Sequence, residues 1–255
     1  MDLKARLQAG RPAIGWWLEL QSPIAAEVMA GSGYDCVLID LEHGPGGVLD
    51  AVQLMQAMAA TPIAPLIRVT SNDAAEIKRA LDAGVHGVMI PAVNSRSEAE
   101  AAVAACRYPP DGIRGMAAPI VRASGYGRRW QDYVREVNEQ LLVMCQIESR
   151  AGVEAVAEIA AVPGVDMVFI GPFDLSANMG FMGQPDHPEV KQAIAAVEAA
   201  ARSAGRLLGG IPTPERGVED LVADGYALVL PDVDTVMIRD AADASIAGWR
   251  AALGD

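Results

Sequence analysis

The sequence has few cysteines and few basic residues, and it lacks long apolar runs. Its cysteines, Cys36, Cys106 and Cys145, stand far apart in apolar surroundings without a CxxC pair, which predicts free buried thiols in a reducing, cytoplasmic compartment. Twenty basic residues against 33 acidic ones give a net charge of −13, which disfavours nucleic acid and membranes as partners. No apolar run reaches the roughly 18 residues of a membrane span, and the amino terminus lacks the apolar core of a signal peptide.

Short apolar segments alternate with helical segments along the whole chain. The predicted strands are Ala13–Leu18, Cys36–Leu41, Pro65–Val69, Gly87–Ile90, Leu141–Ile147, Met167–Ile170, Leu207–Ile211 and Ala227–Leu230. The predicted helices are Ile24–Ala30, Val48–Ala59, Ala74–Ala83, Ser97–Cys106, Val153–Ala160, Pro188–Ser203, Pro214–Ala223 and Val236–Leu253. Eight such units in about 250 residues predict a (β/α)8 TIM barrel that occupies residues 1–255 as one domain. A doubly wound open sheet is the alternative, but no Gly-x-Gly-x-x-Gly follows the first strand.

One connection, from Arg107 to Gln140, is too long for an ordinary loop and is rich in proline, glycine and arginine. Long loops in compact domains are usually functional or disordered. We expect this segment to lie over the functional site or at a contact between subunits.

The second predicted strand ends in three ionisable side chains. Asp40, Glu42 and His43 follow a continuous apolar run, and Gly44 and Pro45 then turn the chain. Burying these groups without partners would cost free energy, so their position at the end of a strand indicates a ligand site. His43 is a candidate proton shuttle near neutral pH. The alternative is a salt-bridged strand end with a hydrogen-bonded histidine.

Polar residues also follow other predicted strands, and a barrel brings the carboxyl ends of its strands to the rim where catalytic sites lie. They are Trp17 and Glu19 after strand 1, Arg68 after strand 3, Gln146 and Glu148 after strand 5, Asp174 after strand 6, and Pro212 and Thr213 after strand 7. The carboxylates of Glu148 and Asp174, with water and substrate oxygens, suit magnesium or manganese. The alternatives are an ion pair between Glu148 and Arg150 and a turn cap formed by Asp174.

The choice of chemistry follows from the scarcity of lysine. Lys4, Lys78 and Lys191 are the only lysines, and none follows a predicted strand. A Schiff-base mechanism needs a buried, activated lysine, so the sequence favours a metal that acts as a Lewis acid. Arg68 at a strand end is suited to hold a carboxylate or to stabilise an enolate oxygen.

Four separated segments resemble the HpcH/HpaI aldolases, which are metal-dependent class II pyruvate aldolases and include 4-hydroxy-2-oxo-heptanedioate aldolase. The segments are Asp40–His43, Arg107–Gly115, Gln146–Glu148 and Phe169–Ser176. The resemblance extends in order over nearly the whole chain. It implies a (β/α)8 barrel whose C-terminal helix is exchanged between subunits, in a homohexamer built as a trimer of dimers.

The resemblance also implies roles for individual residues. Glu148 and Asp174 bind a divalent cation (Mg2+, Mn2+ or Co2+), and Gln146 and the backbone around Phe173 and Asp174 contact the substrate. His43 is the acid or base, and Arg68 stabilises the enolate. Trp17 and Pro212, at the same rim, are further candidates for substrate contacts.

Asp82 resembles the aspartate that raises the basicity of the catalytic histidine. It ends a predicted helix, at the end of the barrel opposite to the site, so we expect it to reach His43 from a neighbouring subunit. If it does not, Asp40 is the candidate partner. The chain departs from the family pattern at Phe173, where a small residue is usual, and over Leu230–Asp234. Both departures concern the acceptor aldehyde.

The predicted reaction is reversible retro-aldol cleavage of a 4-hydroxy-2-oxo acid to pyruvate, or a similar 2-oxo acid, and an aldehyde. One alternative is an enolate-forming lyase of acyl-CoA esters or a 2-oxo-acid decarboxylase at the same site. A CoA enzyme should carry basic residues for the nucleotide, and this chain has few. Another alternative is a non-catalytic barrel, which should have lost some of the residues His43, Arg68, Glu148 and Asp174.

Overall fold

The computed structural model describes residues 2–254 and contains a closed barrel of eight parallel strands in the order β1 to β8. The strands are β1 (Ala13–Leu18), β2 (Cys36–Asp40), β3 (Ala64–Arg68), β4 (Gly87–Ile90), β5 (Leu142–Ile147), β6 (Met167–Ile170), β7 (Leu207–Gly210) and β8 (Leu228–Val233). Each strand pairs with the next, and β8 pairs with β1. The predicted TIM barrel is therefore confirmed.

Helices connect the strands and surround the barrel. They are α1 (Leu3–Gln8), α2 (Pro23–Ala30), α3 (Val48–Ala57), α4 (Ala74–Asp82), α5 (Arg96–Cys106), α6 (Trp130–Gln140), α7 (Arg150–Ala160), α8 (Pro172–Asn178), α9 (Pro188–Ser203), α10 (Val218–Ala223) and α11 (Asp234–Leu253). A 3-10 turn covers Arg122–Ser124. The sequence pattern did not predict α1, α6 and α8.

The predicted end of the last strand was wrong, because β8 continues three residues beyond Leu230 to Val233. Ile14 of β1 pairs with Val229, whereas Trp16 pairs with Asp232, so β8 contains one extra residue at this point. Proline has no N–H to donate and is tolerated in a sheet at such a bulge. Pro231 therefore lies within the strand instead of ending it.

Apolar side chains fill both faces of the sheet. The interior of the barrel holds a buried cluster that includes Leu38, Leu66, Met144 and Phe169. A Cβ on Gly209 would lie 2.6 Å from the Phe169 ring, so the glycine makes room for that ring inside the barrel. A larger buried cluster lies between the strands and the surrounding helices.

The connection from 107 to 140 does not lie over the site of its own chain. Arg114 is buried and donates to Asp82, with 2.7 Å between Nη2 and Oδ1. Arg122 donates to the carbonyl oxygen of Ala83 over 2.7 Å. Both partners lie at the C-terminal end of α4, which precedes β4 and is opposite to the carboxyl ends of the strands. The expectation that this connection covers the site is thus wrong for a single chain, while a subunit contact stays a prediction.

The last helix, α11, leaves most of its side chains in solvent. Val236, Met237, Ile238, Ile246 and Trp249 are all exposed, and Trp249 is 66% accessible. Of its 20 residues, Asp234 at the first position is buried. The helix therefore presents apolar surface that its own barrel does not cover.

Two predictions from composition can be compared with the structure. Cys36, Cys106 and Cys145 are free and buried, as expected. In the described part of the chain, no helix combines the length and apolar character that crossing a membrane requires.

Candidate active site

A buried ion pair lies where β2 and β3 end. The last residues of the two strands, Asp40 and Arg68, are paired in register. Arg68 donates from Nε to Asp40 Oδ1 over 2.8 Å and from Nη2 to Oδ2. Asp40 is fully buried and Arg68 is 5% exposed. Burial alone would raise the pKa of Asp40, but hydrogen bonds and charge from Arg68 outweigh it and hold that pKa below its usual value.

Further contacts orient the guanidinium of Arg68. Its Cζ lies 4.5 Å from the centroid of the Trp17 ring, which is a cation–π arrangement. Its Nη1 lies 3.2 Å from Glu42 Oε2. Asp40 accepts hydrogen bonds from two of its five N–H donors, and Glu42 forms an ion pair with Nη1, so N–H donors of Nη1 and Nη2 remain for a ligand. Burial raises the pKa of Glu42, and the charge of Arg68 opposes this.

The end of β1 contributes a further carboxyl group, that of Glu19. Because Leu18 pairs with Ile39, Glu19 follows β1 beside Asp40 at the end of β2, and the two carboxyl groups come within hydrogen-bonding range. The backbone N–H of Glu19 donates to Asp234 Oδ1 over 3.0 Å, and that of Leu20 donates to Oδ2 over 3.1 Å. Partial burial, followed by the hydrogen bond to Asp40 and its charge, raises the pKa of Glu19 to about 8.

Glu148 is held at the end of β5 by two donors. The backbone N–H of Ala92 lies 2.8 Å from Oε1, and Gln146 Nε2 lies 2.5 Å from Oε2. Ala92 has a φ of 50°, which is uncommon for a residue with a side chain. In this conformation its N–H points at the Glu148 carboxylate. Burial and the charges of Asp174 and Glu42 raise the pKa of Glu148 to about 7, against the Ala92 hydrogen bond.

A cleft of about 370 Å3 lies at the carboxyl ends of the strands, in front of Glu148. It is lined by Glu42, His43, Ala92, Asn94, Glu148, Ser149, Asp174 and Asn178. Three residues of the predicted site, His43, Glu148 and Asp174, therefore face one cleft. The alternative ion pair between Glu148 and Arg150 is not formed, because Glu148 bonds to Ala92 and Gln146, while Arg150 donates to the Met179 carbonyl. Of the alternative for the end of β2, the salt bridges of Asp40 and Glu42 with Arg68 are present.

His43 is exposed at the mouth of this cleft, and no hydrogen bond joins it to the chain over residues 2–254. The imidazole is therefore available to a substrate or to another subunit. Asp40 is not its partner, because the Asp40 carboxylate is occupied by Arg68, Glu19 and the N–H of Glu42.

Asp82 lies at the opposite end of its own barrel, as the sequence predicted. Its carboxylate accepts from Arg114, which also donates to the Tyr133 hydroxyl over 2.9 Å. The guanidinium lies 4.6 Å from the centroid of the Tyr108 ring. Asp82 is thus fixed in orientation at a surface of the chain that is remote from its own cleft.

The remaining predicted substrate contacts differ in position. Gln146 is buried beside Glu148, and its Oε1 has no hydrogen-bond partner. Phe173 precedes Asp174 in the first turn of α8 and is 45% exposed. Trp17 lies beneath Arg68. Pro212, two residues after β7, is partly buried and lies outside the lining of the described cleft.

Sequence reasoning missed the contribution of β4 and the role of Glu19. Ala92 and Asn94 follow β4 and line the cleft, and Ser149 donates from its hydroxyl to Asn94 Oδ1. An asparagine four residues after a strand was a signal that could have been used. Glu19 was recognised as a polar residue after the first strand, but its hydrogen bond to Asp40 depends on the packing of β1 against β2.

The donors in the cleft fit a hard divalent cation. Glu148 and Asp174 supply carboxylate oxygens, and the unpartnered Oε1 of Gln146 supplies a buried amide oxygen nearby. Within residues 2–254, no group of three histidine, cysteine or acidic residues could hold a metal. Magnesium and manganese accept such sites, because one or two carboxylates commonly share the ion with water and substrate oxygens.

Comparison with known proteins agrees with this architecture. The family model described as HpcH/HpaI aldolase/citrate lyase matches residues 13–241. The 4-hydroxy-2-oxo-heptane-1,7-dioate aldolase of Shigella sonnei is 43% identical over 98% of this chain and 95% of its own length. A solved HpcH/HpaI aldolase/citrate lyase family protein from Burkholderia cenocepacia is 38% identical, with a TM-score of 0.92 and coverage of 98% of this chain and 99% of that one. The solved citrate synthase SbnG is 30% identical, with a TM-score of 0.88 and 99% coverage of both chains.

Proposed function

The chain belongs to the HpcH/HpaI aldolase/citrate lyase family, and on this basis we propose that it is a class II aldolase of 4-hydroxy-2-oxo acids. The family that four segments of the sequence indicated is thereby confirmed. The observation that carries the proposal is that His43, Glu148 and Asp174 line one cleft beside Arg68. The substrate we propose by similarity is 4-hydroxy-2-oxo-heptane-1,7-dioate, which names the relative from Shigella sonnei.

The residues of the site have distinct tasks in the proposed cleavage. His43, or a water that it activates, takes the proton of the C4 hydroxyl. The C3–C4 bond breaks, its electron pair moves towards the C2 carbonyl, and the aldehyde forms at C4. Arg68 directs unused N–H donors at the enolate oxygen on C2. Return of a proton to C3 gives pyruvate.

Glu148 and Asp174 would hold the divalent cation, and Gln146 would contact the 2-oxo acid. When bound, Mg2+, Mn2+ or Co2+ supplies positive charge for the C1 carboxylate and the C2 oxygen. Support comes from the oxygen donors of the cleft and from the absence of a lysine at any described strand end. We place the aldehyde portion towards Phe173, whose exposed ring would narrow the space, and Trp17 and Pro212 stay candidates for substrate contacts.

We also propose that Asp82 completes the site of a neighbouring subunit by accepting a hydrogen bond from its His43. Asp82 is remote from its own cleft and is oriented by Arg114, while His43 has a free imidazole. A carboxylate on one ring nitrogen of histidine increases the basicity of the other.

A homohexamer built as a trimer of dimers, with α11 exchanged between subunits, is the proposed assembly. The uncovered apolar side chains of α11 support it, because a monomer would leave them in water. The three free thiols agree with a cytoplasmic location.

The decisive assay measures pyruvate released from 4-hydroxy-2-oxo-heptane-1,7-dioate, with lactate dehydrogenase as the coupling enzyme. His43→Asn and Glu148→Gln should each lower kcat/KM by at least about 100-fold, the scale of lost acid–base or metal catalysis. EDTA should abolish turnover, and Mn2+ should restore it.

Two matched variants control for nonspecific effects. His187→Asn keeps a residue that can cap α9, and Glu158→Gln removes one exposed charge from α7. Both should retain wild-type rates. Full turnover by metal-stripped enzyme would contradict the proposed function.

A further inference from the structure

One hydrogen-bond partner of Asp40, the side chain of Glu19, has no task in the proposed reaction. Asp40 is fully buried and accepts hydrogen bonds from the guanidinium of Arg68 and, over 3.0 Å, from the N–H of Glu42. Its remaining partner is the side chain of Glu19, which is also a carboxyl group. Two carboxyl groups form a hydrogen bond when one of them carries a proton, because an ionised carboxylate only accepts.

The surroundings decide where that proton lies. Asp40 faces the full positive charge of Arg68 through two hydrogen bonds, so its ionised form is stabilised. Glu19 faces Asp40 from β2, Arg68 from β3, and Asp234 from the first turn of α11. Two of these three groups are carboxylates. The proton therefore lies on Glu19, which agrees with the raised pKa of its side chain, about 8.

We propose that Glu19 is a positioning residue, which as a neutral acid donates a hydrogen bond to Asp40 and thereby fixes the orientation of Arg68. The inference rests on the proposed function, in which Arg68 directs unused N–H donors at the enolate oxygen. Glu19 itself does not contact the reacting atoms. It acts through the chain of contacts from Glu19 to Asp40 and from Asp40 to Arg68.

Ionisation of Glu19 has a defined consequence. The hydrogen bond to Asp40 is lost, and a second negative charge appears beside Asp40 and Asp234. The guanidinium of Arg68 is then attracted by an additional carboxylate and turns away from the substrate. Because enolate stabilisation depends on donor geometry, the rate should fall as Glu19 loses its proton.

The first test is the pH dependence of kcat in wild type, Glu19→Gln and Glu19→Ala. Wild type should lose activity above pH about 8, by about tenfold for each pH unit, as expected for one ionisation. Glu19→Gln keeps an N–H donor for Asp40 but cannot ionise, so it should retain the rate at pH 7 and lose this alkaline decline. Glu19→Ala should be slower at pH 7 by roughly 10–100-fold, because Arg68 is less well placed.

Glu158→Gln is the matched control, because Glu158 is exposed on α7 and is not among the groups that shift the pKa of Glu19. It should keep both the rate and the alkaline decline of wild type. An unchanged alkaline decline in Glu19→Gln, or a wild-type profile in Glu19→Ala, would overturn the proposal.

The second test does not depend on aldol cleavage. Infrared difference spectra between pH 6 and pH 9.5 separate the C=O stretch of a protonated carboxyl group from the bands of carboxylates. Wild type should lose one such band around pH 8, and Glu19→Gln should lack this band. Glu148, with a pKa of about 7, contributes a separate loss at lower pH in both proteins. Absence of the band from wild type overturns the assignment of the proton to Glu19. A normal band in a protein that releases no pyruvate counts instead against the proposed function.

Discussion

The buried pair of Asp40 and Arg68 provides a quantitative prediction about stability. Asp40→Asn keeps the shape of the side chain and removes its charge. Arg68 then remains as a buried cation whose nearest carboxylate is Glu42, 3.2 Å from Nη1. Removing one partner of a buried ion pair costs about 3–5 kcal/mol of the free energy of unfolding. Because Glu42 and one asparagine acceptor remain, we expect a value near the lower limit, about 3 kcal/mol.

Removing both partners should cost less than the sum of the two single changes. In the double variant Asp40→Asn, Arg68→Met, no unpaired cation is buried. For residues in direct contact, the coupling free energy is typically about 0.5–3 kcal/mol. We expect this pair to lie in the upper half of that range, because both side chains are almost completely buried.

Urea denaturation followed by circular dichroism measures these differences. All variants are compared at one protein concentration, because association changes the apparent stability. Glu100→Gln is the control, since it breaks the exposed pair of Arg96 and Glu100 on α5 and should cost less than about 1 kcal/mol. A free energy of unfolding for Asp40→Asn within about 1 kcal/mol of wild type, or strict additivity in the double variant, would show that Asp40 and Arg68 are not strongly coupled.

Three further predictions concern pH, specificity and assembly. The folded protein retains a proton on Glu19 that the unfolded chain releases, because folding raises the pKa of this side chain from 4.5 to about 8. Glu19 therefore lowers the free energy of unfolding as the pH rises through this window. Glu19→Gln should remove that contribution, as urea midpoints at pH 5 and pH 8.5 will test. Phe173→Ala should raise kcat/KM for bulky aldehydes relative to acetaldehyde in the aldol direction, and an unchanged ratio would disprove a steric role. Trp249→Glu on α11 should reduce the sedimentation coefficient at micromolar concentration, whereas an intact oligomer would show that Trp249 is not at the interface.

The barrel was predictable because its strands are short, mostly buried and separated by helices. The elements that were missed had weaker local signals. The helix α8 has seven residues, and its Gly-Pro start resembles a turn. The strand β8 contains Pro231, which local propensity treats as a strand end and which only pairing with β1 makes acceptable.

The position of the proposed site residues at one rim was predictable, but the contacts among them were not. Residues at strand ends reach one rim in any barrel, so His43, Arg68, Glu148 and Asp174 could be proposed from strand positions. The sequence does not reveal that Asp40 pairs with Arg68 and not with His43, because that choice depends on strand register. The proton on Glu19 depends on burial and on three neighbouring charges from different elements, which no local pattern encodes.

In the assembly that we propose, the exposed face of α11 makes the stability of the folded chain depend on its concentration. High concentration then favours association, which covers the apolar side chains of this helix and adds to the stability of the barrel by mass action. On extreme dilution the same side chains face water, and the chain loses that contribution while gaining a surface prone to nonspecific aggregation. Purified stocks of this protein should therefore survive storage better when concentrated than when dilute.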